Sequence, residues 1–259
     1  MIPVIGTAVV NGVQWLDNLI QSVDYPTKEF VIINNNGREE LNQKLDHLAK
    51  QKHKFIEKIT VSHMPRNIGC SGAWNLIIKC YMFANYWIIV NHDIEFPSGY
   101  LAKMVEAINE PDIGTVHGDE GPSGSNTGGW SLFAIRDWVV ENYGLFDENF
   151  YPGYGEDCDY EMRLALNPIK RKLSLNIPVK HGGSYDYAST GSQTWRQDPQ
   201  LKVKIDFARF LNEHEYLDYK WGKNWRLVSP YKTAFDIPNF PVTATPYSLY
   251  FARRKNLGF

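Results

Sequence analysis

The chain has 259 residues, 43% hydrophobic and 22% charged, with a formal net charge of -2 at pH 7. This balance is typical of a globular protein long enough for a large α/β domain with a sizeable core. The small negative charge argues against a general attraction to nucleic acid or anionic membranes, and no apolar run approaches the roughly 18 residues of a membrane span.

The cysteines and the amino terminus bear on the compartment. Cys70, Cys80 and Cys158 have no paired spacing, which argues against a disulfide framework or structural zinc and favours a reducing compartment. Met1 leads almost directly into a strand-like run, so no secretory leader is expected. The prediction is a cytoplasmic protein, and contact of an amphipathic tail helix with a membrane surface stays open.

Short β-rich runs alternate with amphipathic helical patterns in the first part of the chain. The strand-like runs are 4–10, 30–33, 59–61 and 87–90. The helical patterns are 15–23, 41–48, 71–83 and 100–108. This alternation predicts a mostly parallel sheet flanked by helices, in which ligands bind beyond the carboxyl ends of the strands.

The second part of the chain is less regular. Residues 118–129 are rich in Gly and Ser and predict a mobile loop. The elements expected after it are a strand at 130–135, a helix at 138–143, a loop at 151–155, a helix from about residue 157, a strand at 173–179 and a helix near 201–211.

Two carboxylates, Asp93 and Glu95, end the fourth strand-like run. In an extended chain, side chains two residues apart point the same way, so both acids are expected to face one hard cation such as Mg²⁺ or Mn²⁺. A solvated acidic loop is the alternative. The Asn-rich ends of the first two strands are explained equally well by turn chemistry.

A second acidic cluster, Glu156-Asp157-Cys158-Asp159-Tyr160-Glu161, begins a predicted helix. Acids in a first helical turn stabilise the helix dipole, which accounts for one or two of them. Four acids in six residues exceed that need, and a carboxylate in a cleft is a competent general base. His181 follows the last β-like run, and a single histidine is more often structural than a ligand.

In chain order these motifs resemble glycosyltransferase family 2, the inverting transferases of the GT-A fold, and especially its rhamnosyltransferase-like members. The resemblance covers about residues 3–185. Its motifs are the first strand with Val9-Val10-Asn11, the segments IINNNG at 32–37 and Arg66-Asn67-Ile68-Gly69, then Asn91-His92-Asp93-Ile94-Glu95, Thr127-Gly128-Gly129-Trp130, and Gly144-Leu145-Phe146-Asp147-Glu148 followed by Gly155-Glu156-Asp157. Asn35 and Asn91 stand where the family usually has acids.

The resemblance implies a role for each motif. Donor-binding residues would be Val9, Asn11, Asn35, Arg66, Asn67, Asn91, His92, Asp93, Gly128 and Gly129. The metal ligands would be Asp93, Glu95 and His181, with Mn²⁺ or Mg²⁺ as the ion. Asp157 would be the catalytic base with Glu156 as its neighbour, and Trp130 and Tyr154 would contact the acceptor.

The implied enzyme is a hexosyl- or deoxyhexosyltransferase that uses a UDP-, dTDP- or GDP-linked donor. Its acceptor would be a glycan, free, lipid-linked or protein-linked. Residues 1–185 would form the GT-A domain, with a nucleotide-sugar half at about 1–110 and an acceptor half at 111–185, and residues 186–259 would pack on it as an extension.

Three other classes of protein are alternatives to a glycosyltransferase. A sugar-1-phosphate nucleotidyltransferase and a NAD-dependent dehydrogenase each need a Gly-rich phosphate loop after the first strand, and Val9-Val10-Asn11-Gly12 is not one. A catalytically silent sugar-binding or assembly protein on the same fold stays open, because fold does not fix function.

Overall fold

A computed structural model describes residues 1–119, 128–166, 169–172, 175, 177–185, 194 and 198–222. The strands are β1 (Ile2–Val9), β2 (Thr27–Asn34), β3 (Ile56–His63), β4 (Tyr86–Val90), β5 (Ile94–Glu95), β6 (Ile113–Asp119), β7 (Gly128–Arg136), β8 (Lys170–Lys172) and β9 (Lys180–His181). The helices are α1 (Val13–Gln21), α2 (Glu39–Ala49), α3 (Gly69–Cys80), α4 (Tyr100–Ile108), α5 (Asp137–Tyr143), α6 (Glu156–Leu166), α7 (Pro199–Phe210) and α8 (Leu217–Trp221), the last two joined by a π-helical segment, Leu211–Tyr216.

Seven strands form one sheet in the order β3-β2-β1-β4-β7-β6-β8. Strands β3, β2, β1 and β4 are parallel, β7 is antiparallel to both of its neighbours, and β6 pairs in parallel with β8. Strands β5 and β9 make a separate antiparallel pair. The predicted mostly parallel sheet is therefore confirmed, with β7 as the one reversed strand among the seven.

The central strands are apolar on both faces because helices cover both faces. In β2, Phe30 and Ile32 belong to the core under α1, α2 and α4, whereas Val31 and Ile33 belong to the core under α3, α5 and α6. Gly6 of β1 allows close approach of α3, since a Cβ there would lie 2.6 Å from Ile77. With both faces covered, the polar strand ends remain the natural place for a ligand.

The prediction of a loop at 118–129 is wrong at both ends, because residues 118–119 belong to β6 and residues 128–129 to β7. Gly118 lies in β6 opposite Gly129 in β7, and a Cβ on Gly118 would lie 3.0 Å from the side chain of Leu132. These glycines serve close strand packing, which the composition alone does not distinguish from a turn. Residues 120–127 lie outside the described part of the chain, and β6 itself was not predicted.

The predicted strand at 173–179 lies partly outside the described residues. Leu175 and Ile177 pack against the core under α1, α2 and α4. The strand that follows them in the chain is β9, which pairs with β5. The helix predicted near 201–211 is confirmed as α7.

We call residues 198–222 the C-terminal arm. Its last turns pack Tyr216, Leu217 and Trp221 against Phe150 in a third apolar cluster. Trp221 is thus a core residue. Among the described helices, none combines the length and apolarity needed to cross a bilayer.

Candidate active site

A cavity of about 280 Å³ opens at the carboxyl edge of the parallel strands. The ends of β1, β2 and β4, the start of β7, the turn before α6 and one face of α7 surround it. The predicted site residues that line it are Asn35, Asn67, Asn91, His92, Asp93, Gly129, Trp130, Tyr154, Glu156 and Asp157. The fold thus gathers most of the predicted residues, drawn from five separate segments, around one space.

A second cavity, of about 390 Å³, adjoins the first and shares Asn35 and Asn67 with it. Two further predicted donor residues, Asn11 and Arg66, line this second space, together with the cations Arg38 and Lys204. The two cavities form a continuous cleft, and its outer part carries positive charge suited to an anionic ligand.

Three predicted site residues, Val9, Glu95 and His181, line neither cavity. Val9 is fully buried in the core, and its carbonyl accepts a hydrogen bond from the Asn35 N–H at 2.7 Å. Gly128 begins β7 opposite Asp119.

The Asn35 side chain organises the start of α3. Its Oδ1 accepts from the Ile68 N–H at 2.8 Å, and its Nδ2 donates to the Gly69 carbonyl at 3.2 Å. A carboxylate in this position cannot make the second bond, because it has no hydrogen to donate. The amide that replaces the family's usual acid therefore fits the local backbone.

Asp93 and His181 meet although they are 88 positions apart in the chain. The His181 Nε2 lies 3.0 Å from Asp93 Oδ1, and both side chains are buried. The pairing of β5 with β9 places His181 opposite Ile94, and the Gly182 N–H donates to the Asp93 carbonyl at 2.7 Å. A carboxylate oxygen of the cavity wall and an imidazole nitrogen behind it thus lie side by side.

Glu95 does not join this pair. Its carboxylate accepts from Lys180 Nζ at 2.8 Å across the β5–β9 pair, and it does not line the cavity. The expectation that Asp93 and Glu95 face one point is wrong, because Asp93 lies in a turn before β5 rather than in extended chain. The third predicted metal ligand is therefore an ion-paired side chain on the outer edge.

His92 is buried at the cavity wall beside Gly12. Its Nε2 has no hydrogen-bond partner among the described residues, and burial lowers the pKa of the ring below its usual range. His92 is therefore neutral at physiological pH and has one ring nitrogen available for a ligand.

Glu156 and Asp157 begin α6 on the opposite side of the cavity. The preceding Tyr154 and Gly155 have positive φ of 70° and 95°, which turns the chain sharply into the helix. Burial raises the pKa of the Asp157 carboxyl, and its Oδ1 accepts from the Cys158 N–H at 2.8 Å. Burial, and then the charge of Asp157, raises the pKa of Glu156 to about 8.

Trp130 is held by residues that the sequence did not single out. Its Nε1 donates to Glu161 Oε1 at 2.8 Å, and Glu161 is in turn hydrogen-bonded to Arg171. His117 packs edge-on against the indole, 4.6 Å between ring centroids. These contacts fix the indole at the cavity wall, and no local sequence signal marks them because the three elements are far apart in the chain.

The C-terminal arm supplies further unpredicted lining residues, Leu201 and Ile205, on the face of α7 that covers the cavity. Thr194 also lines it, and its carbonyl accepts from Asn11 Nδ2 at 2.7 Å. The only available sequence signal was the amphipathic pattern of α7, which does not reveal where the helix docks.

We expect Glu156→Gln to raise the melting temperature by several degrees above pH 4.5. For a chain of this size, each kcal/mol of added stability raises the melting temperature by about 2–4 °C. The folded-state pKa of Glu156 is raised, so its contribution to stability is present below pH 4.5 and is lost as pH rises to about 8. Thermal unfolding of the parent and of Glu156→Gln from pH 5 to 9 measures the difference between their melting temperatures, which should widen as the pH rises. The exposed Glu141→Gln on α5 is the control, and an equal pH dependence in both variants would contradict the burial of Glu156.

The mostly parallel seven-stranded sheet flanked by helices is that of the GT-A fold. A family model described as "Glycosyl transferase family 2" matches residues 9–157, more than half of the chain, and the chain belongs to that family. The match ends at Asp157 and includes both sides of the cavity.

Solved structures share the fold at low sequence identity. The structure of GalNAc-T7 with UDP, GalNAc and Mn²⁺ matches with a TM-score of 0.60 and 14% identity, covering 100% of this chain and 54% of that one. The structure of S. aureus TarS 1–349 in complex with UDP-GlcNAc matches with a TM-score of 0.54 and 14% identity, covering 99% and 80%. At this identity the likeness shows the GT-A fold alone.

A curated sequence relative is a galactofuranosyl glycosyltransferase from Leishmania donovani, 41% identical over 44 residues. The match covers 17% of this chain and 10% of the relative's length. It therefore agrees with the family without carrying a donor or an acceptor over to this chain.

Proposed function

We propose that the protein is an inverting glycosyltransferase that moves a hexosyl or deoxyhexosyl group from a nucleotide-sugar to an acceptor hydroxyl. The observation that supports the proposal is that Asp93 and Asp157 line one cavity from separate parts of the chain, and that His181 contacts Asp93 from a third. A sugar between them has a place for its leaving group on one side and a base on the other.

The nucleotide of a UDP-, dTDP- or GDP-linked donor is assigned to the outer cavity. Asn11 and Asn35 offer hydrogen-bonding groups at the ends of β1 and β2, and Arg38 and Arg66 offer positive charge. The sugar then occupies the inner cavity, against Gly129, where the absence of a side chain leaves room for it.

A divalent cation fits the residues present on the Asp93 side. The carboxylate of Asp93 and the imidazole of His181 are donor types that Mn²⁺ accepts, and they lie 3.0 Å apart. Asp93 and His181 would hold the ion, and the ion would act as a Lewis acid that offsets charge on the departing diphosphate. Among the described residues no third His, Cys, Asp or Glu joins this pair, so the other ligands of the ion would be diphosphate or water oxygens.

Asp157 is assigned as the general base. It accepts the proton of the acceptor hydroxyl as the acceptor oxygen bonds to the anomeric carbon, and the bond from that carbon to the diphosphate oxygen breaks. Burial strengthens Asp157 as a base by raising the pKa of its carboxyl. The rate of transfer should therefore fall on acidification at a higher pH than for an exposed aspartate.

Glu156 has a supporting role in this scheme. With its pKa raised to about 8, the side chain is neutral at pH 7 and does not repel the Asp157 carboxylate or a bound diphosphate. Trp130 and Tyr154 line the side from which an acceptor glycan, free, lipid-linked or protein-linked, would approach. Residues 1–185 then form the transferase domain, and the C-terminal arm closes one wall of its cavity.

We expect the purified protein to release nucleoside diphosphate from one member of a panel of UDP-, dTDP- and GDP-sugars when Mn²⁺ is present. Slow hydrolysis of the donor is expected even without an acceptor, because water can take the place of the acceptor hydroxyl. Coupled detection of the released diphosphate measures it, with EDTA as the metal-free control. Silence with every donor, together with sugar binding in calorimetry, would favour a binding protein on this fold instead.

A further inference from the structure

The buried lysine Lys220 joins two carboxylates at the back of the catalytic turn. Its ammonium lies 2.9 Å from Asp147 Oδ2 and 2.6 Å from Asp159 Oδ1, and all three side chains are fully buried. Arg163 pairs with the second oxygen of Asp159 at 3.0 Å, so two cations balance two carboxylates. A buried ammonium is costly unless it is paired in this way, so the geometry of the cluster is tightly specified.

Neutral side chains of the C-terminal arm also donate hydrogen bonds to the two carboxylates. The Tyr216 hydroxyl donates to Asp147 Oδ2 at 2.7 Å, and the Trp221 indole N–H donates to Asp159 Oδ1 at 2.8 Å. Removing one ion of such a network leaves a buried charge uncompensated, whereas removing one neutral donor is milder. Substituting Lys220 should therefore perturb the link between the arm and the two carboxylates strongly, and substituting Tyr216 or Trp221 should perturb it mildly.

The two carboxylates bracket the segment that carries the proposed chemistry. Residues 147–159 contain Tyr154, Glu156 and Asp157, and the arm also holds the middle of this segment through Asn212 Nδ2, which donates to the Gly153 carbonyl at 2.9 Å. Asp159 follows Asp157 by two residues on α6, about 200° around the helix at 3.6 residues per turn. One acid therefore faces the arm while the other faces the cavity.

We propose that Lys220 is a positioning residue that fixes the Asp157 carboxylate in the cavity by tying both ends of segment 147–159 to the C-terminal arm. The proposal rests on the function proposed above for Asp157. Lys220 does not line the cavity, so its effect on transfer passes through the placement of α6 and its first turn.

The test compares Lys220→Met with Lys79→Met. Lys79 pairs with Glu148, the neighbour of Asp147, at 3.4 Å, but this pair is largely exposed and its loss is expected to be nearly neutral. For Lys220→Met we expect kcat to fall by about 10²-fold, the cost of misplacing a catalytic group by about 1 Å, with the KM for the donor nearly unchanged. Hydrogen exchange at residues 156–161 should rise about tenfold or more while exchange in β1 and β2 stays as in the parent.

Each outcome decides the matter. A Lys220→Met protein with unchanged exchange at 156–161 or unchanged kcat would overturn the proposal, as would a uniform rise in exchange across the sheet, which marks a merely structural role. If Lys220→Met does not fold, Tyr216→Phe and Trp221→Phe remove one donor each and should show the same local pattern to a smaller degree. If the parent protein transfers no sugar, the proposed function fails, and the exchange data alone still decide whether Lys220 positions the segment.

Discussion

Replacing Asp157 with asparagine is expected to lower the rate of transfer by on the order of 10²–10⁴-fold, the usual contribution of a general base. Asparagine keeps the size of the side chain and its Oδ1 can still accept from the Cys158 N–H, but it cannot take a proton. Donor affinity, measured by calorimetry with Mn²⁺, should stay close to that of the parent, because the change lies on the acceptor side of the sugar.

The chain contains a closely matched control for this change. Asp137 also lies in the first turn of a helix, α5, and its Oδ1 accepts from the next N–H, that of Trp138, at the same 2.8 Å. It does not line either cavity. Asp137→Asn should therefore share any loss of helix stability and keep full activity. Equal activity of the two variants would remove Asp157 from the role of base.

Replacing Asp93 with asparagine is expected to weaken Mn²⁺-dependent donor binding by about 10²-fold or more, since an ion that stabilises diphosphate charge contributes several kcal/mol and 1.4 kcal/mol is tenfold. The loss should vanish when the comparison is made in EDTA, where neither protein holds the ion. Titration of the active nucleotide-sugar with and without Mn²⁺ measures both conditions.

Glu95→Gln is the matched control for Asp93→Asn. It removes a carboxylate two residues away, on the same short turn and strand, but that carboxylate pairs with Lys180 outside the cavity. We expect donor affinity within about twofold of the parent, because a half-exposed ion pair contributes little. A loss as large as that of Asp93→Asn would restore Glu95 to the metal site.

The elements of the first part of the chain could be predicted from the sequence with bounds close to those of the structure. The run at 87–90 became β4, which begins one residue earlier, and the pattern at 100–108 became α4 with the same bounds. This succeeds because periodicity reports which faces of an element are buried, and each central strand here is covered on both faces. Strand β6 could not be predicted, because Gly114 and Gly118 interrupt its apolar pattern and resemble turn residues.

The candidate site, too, could be predicted only in part from the sequence. Asp93 and Asp157 were found in the sequence because each stands at a strand end or a helix start within a dense acidic motif. The approach of His181 to Asp93 was implied only by the resemblance to the family. The docking of α7 over the cavity could not be predicted, because it depends on contact between segments that share no local pattern. Asn35 was read as a donor ligand, and its amide also holds the start of α3.

The sequence by itself determined the alternation of strands β1–β4 with helices α1–α4, the family of the chain and the edge of the sheet where the polar residues collect. Only the tertiary structure decided which carboxylate enters the cavity, that Glu95 is paired with Lys180 and that Lys220 pairs with Asp147 and Asp159 at the two ends of segment 147–159. The physical reason is that periodicity is a property of neighbours along one chain segment, whereas the burial of a charge depends on the partner that another segment brings to it.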